Sequence, residues 1–325
     1  MEEHWERGYP LVALTAVDIE QRLRAVFLAP RVVDFAPLTA GLRNTNYRVQ
    51  LADRVTPVVL RLFTADAAAC ARDVALARLL HGRVPVPAVL YADPAADPPW
   101  TVTSWSEGER FDVVLQGGNV TDIEAAARAA GTMLAQIHVI GFPHPGFFGP
   151  DLEIAQSLDI SGGGWAGYIG HCLFQGHAGH ALGAELTQRL WRFVRDNAGR
   201  LEPLNGQSSL VHADYKPWNL LVQHAAEGWS VAAVLDWEFA FAGSPLFDVA
   251  IFLRQEAFLP SGYASGFIAG YRAGGGDLPA DWHALVKLMD LLNMCSMLDQ
   301  PEGDTAPARD LGRLIQASID SLSAD

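Results

Sequence analysis

The stretch Val211-His212-Ala213-Asp214-Tyr215-Lys216-Pro217-Trp218-Asn219-Leu220-Leu221-Val222 sets a polar, loop-forming run between two apolar, strand-like pieces. Its spacing is His-x-Asp-x-x-x-x-Asn. Phosphoryl transfer makes demands that this spacing meets. An acceptor hydroxyl must align with the γ-phosphate. A carboxylate must stand where its proton leaves, and an amide oxygen must help hold a metal on the phosphates. Asp214 supplies the first and Asn219 the second. A tight loop with this offset points both side chains into one cleft. His212 reads as a structural hydrogen-bond donor in that loop rather than as a base. Alone, Asp214 and Asn219 would also suit an ordinary turn.

A second stretch, VAAVLDWEFAFAGSPLFD over 231–248, supplies the context. An apolar strand ends at Asp236. A carboxylate at the end of a buried strand is costly unless a cation pairs with it. Mg2+ bridging phosphate oxygens would satisfy that need, so Asn219 and Asp236 are the candidate metal ligands. Asp248, further along, reads as structural, anchoring the catalytic loop by hydrogen bonds.

Working outward, the order of elements suggests a bilobal α+β architecture. Strands are expected over 32–38, 47–51, 58–63 and 100–105, with a helix over 18–28 capped by Asp18 and another over 66–81. Gly108 is the candidate hinge. Residues 1–107 then form a small β-rich N-lobe with an antiparallel sheet, and 108–325 a larger, mostly helical C-lobe with a cleft between them. In the second part a helix is expected over 122–140, capped by Thr121 with Glu124 in a capping box. Further helices are expected over 165–175, 185–197, 246–256, 282–298 and 309–322. Short strands are expected near 209–211, 220–223 and 231–235.

The two stretches resemble the aminoglycoside phosphotransferase family, which is similar to choline kinases and more distantly to protein kinases. That family's loop reads H-G-D-x-x-x-x-N followed by a strand and I-D-W-E; here the residues are HADYKPWN and LDWE. The segment Gly131-Thr132-Met133-Leu134-Ala135-Gln136-Ile137-His138 resembles the family's G-x-x-L-A-x-x-H helix. GFFGP, WAGYI, VHADY and LDWEFAFAG are similar to segments of hygromycin-type antibiotic kinases within it. The resemblance implies a protein-kinase-like fold and transfer of the γ-phosphate of ATP or GTP, with Mg2+, to a hydroxyl of a small molecule. An aminoglycoside-like antibiotic, and hence antibiotic resistance, is the first implied acceptor. A metabolite such as an amino alcohol or sugar is the alternative, and a non-catalytic, kinase-shaped nucleotide-binding protein is a third reading.

The resemblance also carries nucleotide-binding expectations. Kinases use a β3 lysine on the phosphates, paired with a helix glutamate. Here Arg61 takes the lysine position and Asp73 the glutamate position. Arginine keeps the charge and can grip phosphate in a bidentate way. Arg61 as a surface strand residue and Asp73 as a solvated carboxylate are the plainer alternatives. The turn Gly41 to Asn46 stands where a nucleotide-covering loop would be, which makes Asn44 and Asn46 candidate nucleotide contacts. Ser104, opening the connecting segment to Gly108, is another.

Lys216 is one of only two lysines, the other being Lys287; every other basic side chain is arginine. A compact ammonium can follow a migrating phosphoryl group where a planar guanidinium fits poorly. Lys216 is therefore the second candidate catalytic residue, beside Asp214. A surface lysine packing its stem on Trp218 is the alternative.

Composition bounds the partners. Half of the 325 residues are hydrophobic and 18% are charged, a globular profile. The net charge of -14 disfavours nucleic acid and would suit a cationic substrate. Glu238, Asp290, Asp299, Glu302 and Asp304 are the acids a cationic acceptor would use. No apolar run is long enough to span a bilayer, and the N-terminus lacks a signal-peptide pattern, so a cytoplasmic protein is expected. The three cysteines show neither metal-ligand nor disulfide spacing. His171, His177 and His180 lack a metal-binding pattern.

Overall fold

The computed structural model describes residues 9–38, 43–158, 164–299 and 305–323. Helix α1 (Ala16–Leu23) precedes strands β1 (Val32–Leu38), β2 (Thr45–Leu51) and β3 (Val58–Leu62). Helix α2 (Ala69–Leu80) leads to β4 (Val89–Asp93) and β5 (Trp100–Ser104). The five strands form one antiparallel sheet in the order β1-β2-β3-β5-β4. Along β3, Val58, Leu60 and Leu62 are buried and pack with Val49, Leu51, Val102 and the α1 residues Ile19 and Leu23. Side chains alternate across a strand, so Arg61 faces the opposite side of the sheet. Its orientation therefore follows from the apolar alternation itself.

The rest of the chain is mainly helical. Strand β6 (Glu109–Arg110) and α3 (Phe111–Gly117) lead into the long α4 (Val120–His138). Strands β7 (Gly146–Phe148) and β8 (Ile154–Ser157) follow, then α5 (Gly164–Phe174), α6 (Ala178–Leu182) and α7 (Ala184–Asn197). Next come β9 (Ser209–Val211), β10 (Leu220–Ala225), β11 (Gly228–Val234) and β12 (Phe241–Gly243). Helices α8 (Leu246–Leu253), α9 (Tyr263–Ala273), α10 (Trp282–Leu298) and α11 (Thr305–Ser323) complete the order. Two small sheets, β11-β10-β6 and β8-β7-β12-β9, sit among these helices. Among the described residues, no helix is long and apolar enough to cross a membrane.

Several local expectations are corrected. Asp18 does not cap α1: Thr15 does, and Asp18 is its capping-box partner. The helix also stops at Leu23, short of the expected Leu28. Asn119, not Thr121, caps α4 by accepting from the Asp122 amide. Helix α8 ends at Leu253 rather than continuing to Glu256. Helix α9 escaped the sequence pattern because its glycines weaken helix propensity. Those glycines have a packing reason. A Cβ at Gly270 would collide with the Arg128 carbonyl of α4, and one at Gly131 with the Phe267 carbonyl of α9. The two helices approach at backbone distance. Gly108 lies just before β6 with φ of 137°, and a Cβ there would sit 3.1 Å from the Val222 carbonyl oxygen. Both the backbone conformation and the space call for glycine.

Candidate active site

Strand β9 delivers the chain to His212, and the loop then turns through Ala213 at φ 64°. Asp236, at the end of β11's path, stands at φ 62°. Positive φ costs a non-glycine residue on the order of 1 kcal/mol or more, so surrounding contacts must hold both. For Ala213 they come from Asp248, which is fully buried. Its Oδ2 accepts from the His212 amide at 2.7 Å and its Oδ1 from the Ala213 amide at 2.8 Å. His138 of α4 adds a 3.1 Å contact from Nε2 to Asp248 Oδ2, and its Nδ1 lies 2.8 Å from the Tyr271 hydroxyl. The expected anchoring by Asp248 is thus direct, and His138 belongs to the same anchor.

For Asp236 the holding contacts fall on its neighbour Leu235. The Leu235 amide donates to the Asn219 carbonyl at 2.8 Å, and the His212 ring donates from Nε2 to the Leu235 carbonyl at 2.9 Å. His212 Nδ1 accepts from the Asp214 amide at 3.2 Å, so a ring carrying its proton on Nε2 serves both bonds. The 212–219 loop and the strand end are therefore tied together by one main-chain bond and one bond from the His212 ring.

The Asp214 carboxylate is engaged on both oxygens. Lys216 Nζ lies 2.9 Å from Oδ1, and the Asn219 side-chain amide donates to Oδ2 at 2.7 Å. The same Asn219 nitrogen lies 2.9 Å from the Asp214 carbonyl. With its nitrogen committed twice, Asn219 leaves its Oδ1 as the atom open to a cation. The Lys216 ammonium is thus directed at the Asp214 carboxylate.

Arg61 gathers the remaining groups. It lies 3.0 Å from Asp236, 3.5 Å from Glu238 and 3.6 Å from Asp73 of α2. Burial works against its charge, but those carboxylates more than offset this and hold the guanidinium firmly protonated. Glu238 also accepts from the Asn44 amide at 2.7 Å and lies 3.6 Å from Arg43 Nε. Asn44 in turn accepts from the Thr64 amide at 3.2 Å. Three carboxylates thus face two arginines. Two of them are raised, chiefly by burial. Burial, with Asp236 adding to it, pushes Glu238 up to about 7. Burial likewise raises Asp73 to about 6, against the pull of Arg61.

These features fit a divalent cation. The cluster carries one carboxylate more than its arginines neutralise, and Asn219 Oδ1 and Asp236 are hard oxygen donors of the kind Mg2+ takes alongside phosphate oxygens. Among the described residues, buried atoms without a hydrogen-bond partner also collect here: Arg61 Nε, Asp73 Oδ1 and Asn46 Oδ1. Orphaned buried polar atoms are rare and point to a missing ligand. Among the described residues, no cluster of three or more His, Cys, Asp or Glu side chains has metal-binding geometry, His171, His177 and His180 included.

Not every candidate joins the cluster. Asn46 does, lying opposite Arg61 in the β2–β3 register. Ser104 pairs opposite Val58 instead, three positions along β3 and so roughly 10 Å away. Its hydroxyl accepts from the Ala88 amide at 2.9 Å and its own amide donates to the Ala88 carbonyl at 2.8 Å. Gly41 and Leu42 of the expected covering turn lie outside the described residues. The acids assigned to a cationic acceptor are differently employed. Asp290 is buried in an ion pair with Arg254 at 2.6 Å, and Asp299 accepts from the His177 amide at 2.6 Å. Glu302 and Asp304 lie outside the described residues. Glu238 faces Arg61, Arg43 and Asn44, a role its place in LDWE signalled without revealing the partners.

Comparison with solved structures gives the fold a lineage. The aminoglycoside phosphotransferase APH(4)-Ia matches over 94% of this chain and 99% of its own, at 18% identity and a TM-score of 0.71. A thermostable mutant of that enzyme, in ternary complex with AMP-PNP and hygromycin B, matches with a TM-score of 0.70, again at 18% identity, covering 94% of this chain and 99% of that one. The streptomycin–ATP–APH(2″)-IIa ternary complex matches over 95% of this chain and 99% of its own, at 14% identity and a TM-score of 0.63. No curated protein sequence gives a significant match. These likenesses show the bilobal, kinase-like fold. The model of the APH phosphotransferase enzyme family matches residues 34–286, a span that takes in Arg61, Asp73, the catalytic loop and Asp236, and this chain belongs to that family.

Proposed function

We propose that this protein moves the γ-phosphate of a nucleoside triphosphate, ATP or GTP, onto a hydroxyl of a small molecule. One observation carries the reading. An unbroken set of contacts runs from Lys216 through Asp214 and Asn219 to Leu235, and from the adjoining Asp236 through Arg61 to Asp73. A base candidate, two hard-oxygen donors and a phosphate-binding cation thus share one cleft.

In this reading residues 1–107 bind the nucleotide and 108–325 carry the catalytic loop and acceptor pocket. Asp214 takes the acceptor's hydroxyl proton as the oxygen attacks in line. Asn219 and Asp236 would hold Mg2+, which when bound neutralises charge on the phosphates. Arg61 offers its fork to phosphate oxygens, and Asp73 keeps that fork oriented. Asn44, Asn46 and the segment from Ser104 line the nucleotide side. Lys216, now on Asp214, stands close enough to the reacting groups to meet the transferring phosphoryl. Most of the rate enhancement then comes from positioning and charge neutralisation, with no covalent enzyme intermediate. The cytoplasm, where ATP is plentiful, suits this chemistry.

The acceptor class to test first is the aminoglycoside type, since APH(4)-Ia and APH(2″)-IIa were solved with hygromycin B and streptomycin. ADP release by the purified full chain, with ATP and Mg2+, is measured across a panel of hydroxylated compounds. The reading expects acceptor-dependent release that Asp214→Ala abolishes. Failure to bind AMP-PNP would refute it.

A further inference from the structure

A cavity of about 270 Å³ opens beside Glu238, two residues beyond Asp236. One wall comes from the nucleotide side, with Arg43, Asp66 and Arg72; the other comes from β7 and the chain after LDWE, with Phe147 and Phe239. The cross-strand register sets Phe147 against Phe241 and Phe241 against Val211, the residue before His212. Two strand spacings of about 4.8 Å therefore separate this aromatic wall from the strand that delivers the catalytic loop.

Its chemistry departs from a polycation site. Each lining carboxylate already has a cation: Asp66 pairs with Arg72 at 2.6 Å and Glu238 lies 3.6 Å from Arg43. Within the lining itself, two carboxylates thus face two arginines. Asp290, another acid a cationic acceptor would use, is itself paired with Arg254. Phe147 and Phe239, by contrast, leave 45% and 43% of their surface open. Large rings left partly open on the lining of one cavity are a ligand-binding feature, and an aromatic ring adds stacking to apolar burial. Arg43, 5.2 Å from the Phe239 centroid, backs one of these rings.

From these observations, and resting on the phosphotransferase reading above, we infer that this cavity is the acceptor site and takes an uncharged hydroxylated compound bearing an aromatic or flat apolar face, held against Phe239 and Phe147. A cavity slightly under the roughly 300 Å³ lower bound of drug-sized pockets suits one such ring with its hydroxyl-bearing substituent.

The test uses the full chain with AMP-PNP and Mg2+, and phenyl β-glucoside as probe. Saturation-transfer NMR reads contact at its ring protons, and titration gives the affinity. The expected result is binding with the ring protons most strongly saturated. Phe239→Ala should weaken it about tenfold while AMP-PNP affinity stays unchanged, consistent with loss of one stacked ring. Phe147→Ala, on β7, should weaken it in the same sense. Hygromycin B should bind more weakly than the glucoside. The inference is overturned if the glucoside does not bind while AMP-PNP does, if neither substitution affects it, or if hygromycin B binds more tightly. Loss of AMP-PNP binding by the unmodified protein would instead overturn the phosphotransferase reading.

Discussion

Replacing Asp248 by asparagine probes the anchor of the catalytic loop with the smallest change of shape. The carboxylate accepts from the His212 and Ala213 amides at 2.7 and 2.8 Å, one on each oxygen. An asparagine keeps one acceptor oxygen and turns an NH2 toward the other amide. One charge-assisted hydrogen bond is lost, and one buried N–H is left facing another donor. A hydrogen bond to a charged group is worth roughly 1.5–3 kcal/mol, and an unsatisfied buried donor costs about 1–3 kcal/mol. These overlap, so a destabilisation of about 3 kcal/mol is expected. Unfolding entropy scales with chain length, so that loss lowers the Tm of a chain this size by roughly 4 °C. The effect on turnover should be larger in proportion. Ala213 at φ 64° is held by the lost bond and directly precedes Asp214. A relaxed loop misplaces the base, and a displacement of about 1 Å can lower kcat around a hundredfold. Nucleotide affinity should hold, because Asp248 touches no member of the Arg61 cluster. Stopped-assay kinetics, a thermal melt and AMP-PNP titration on Asp248→Asn check all three. Unchanged kcat and Tm would refute the anchoring argument, and a collapse in AMP-PNP affinity with normal kcat would show that the residue acts elsewhere.

Asp214→Ala should abolish transfer while AMP-PNP still binds, measured by ADP release and titration, because the carboxylate acts on the acceptor hydroxyl. Asp236→Asn should cripple Mg2+-dependent turnover and Asn219→Ala should do so to a lesser degree; Mg2+ titrations of activity that leave both half-saturation points unmoved would exclude them as ligands. Lys216→Met should lower kcat with little change in nucleotide affinity, and an unchanged kcat would assign Lys216 to holding Asp214 alone. Asp73 gives a pH prediction. Its carboxyl is raised from 3.8 to about 6 in the fold, chiefly by burial, so its contribution to stability is full below about pH 4 and is lost as pH rises through 6. That rise corresponds to roughly 3 kcal/mol at most. Asp73→Asn should therefore raise the Tm of the ligand-free protein at pH 8 and leave it nearly unchanged at pH 4; equal shifts at both pH values would contradict the raised carboxyl.

Local pattern made much of this protein legible. Alternation over 58–62 placed β3 and so turned Arg61 away from the apolar face. The offset between Asp214 and Asn219 brought their side chains to 2.7 Å. What the pattern could not give was partnership at long range. Asn44 and Glu238 are bonded across 194 positions of sequence, and nothing near either residue names the other. Asp290 was accordingly expected at the acceptor, since sequence shows a carboxylate but not the arginine that neutralises it. Helix α9 failed for a different reason. Its glycines lower intrinsic helicity, and only the approach of α4 supplies the packing that overrides this.

The contacts around the site are of two kinds, and the difference bears on how it works. Asp214, Asn219 and Asp236 are fixed to one another by hydrogen bonds through His212, Leu235 and Asn219, with Asp248 beneath them. One of these bonds joins main chain to main chain, and the others run from the buried side chains of His212 and Asp248 to main-chain groups; together they hold Ala213 and Asp236 in conformations that cost energy. Arg61 belongs to the other sheet and meets this frame only through ion pairs at 3.0 and 3.5 Å. Ion pairs between long side chains tolerate displacement, while a bidentate guanidinium can exchange a carboxylate for a phosphate of the same geometry. In the proposed reading the base and the metal-binding groups are thus preorganised on one frame, whereas Arg61 is held by partners a nucleotide can replace. On the same reading, a nucleotide that took over Arg61 would leave Asp236 to a cation, which would balance the carboxylates that Arg61 now holds.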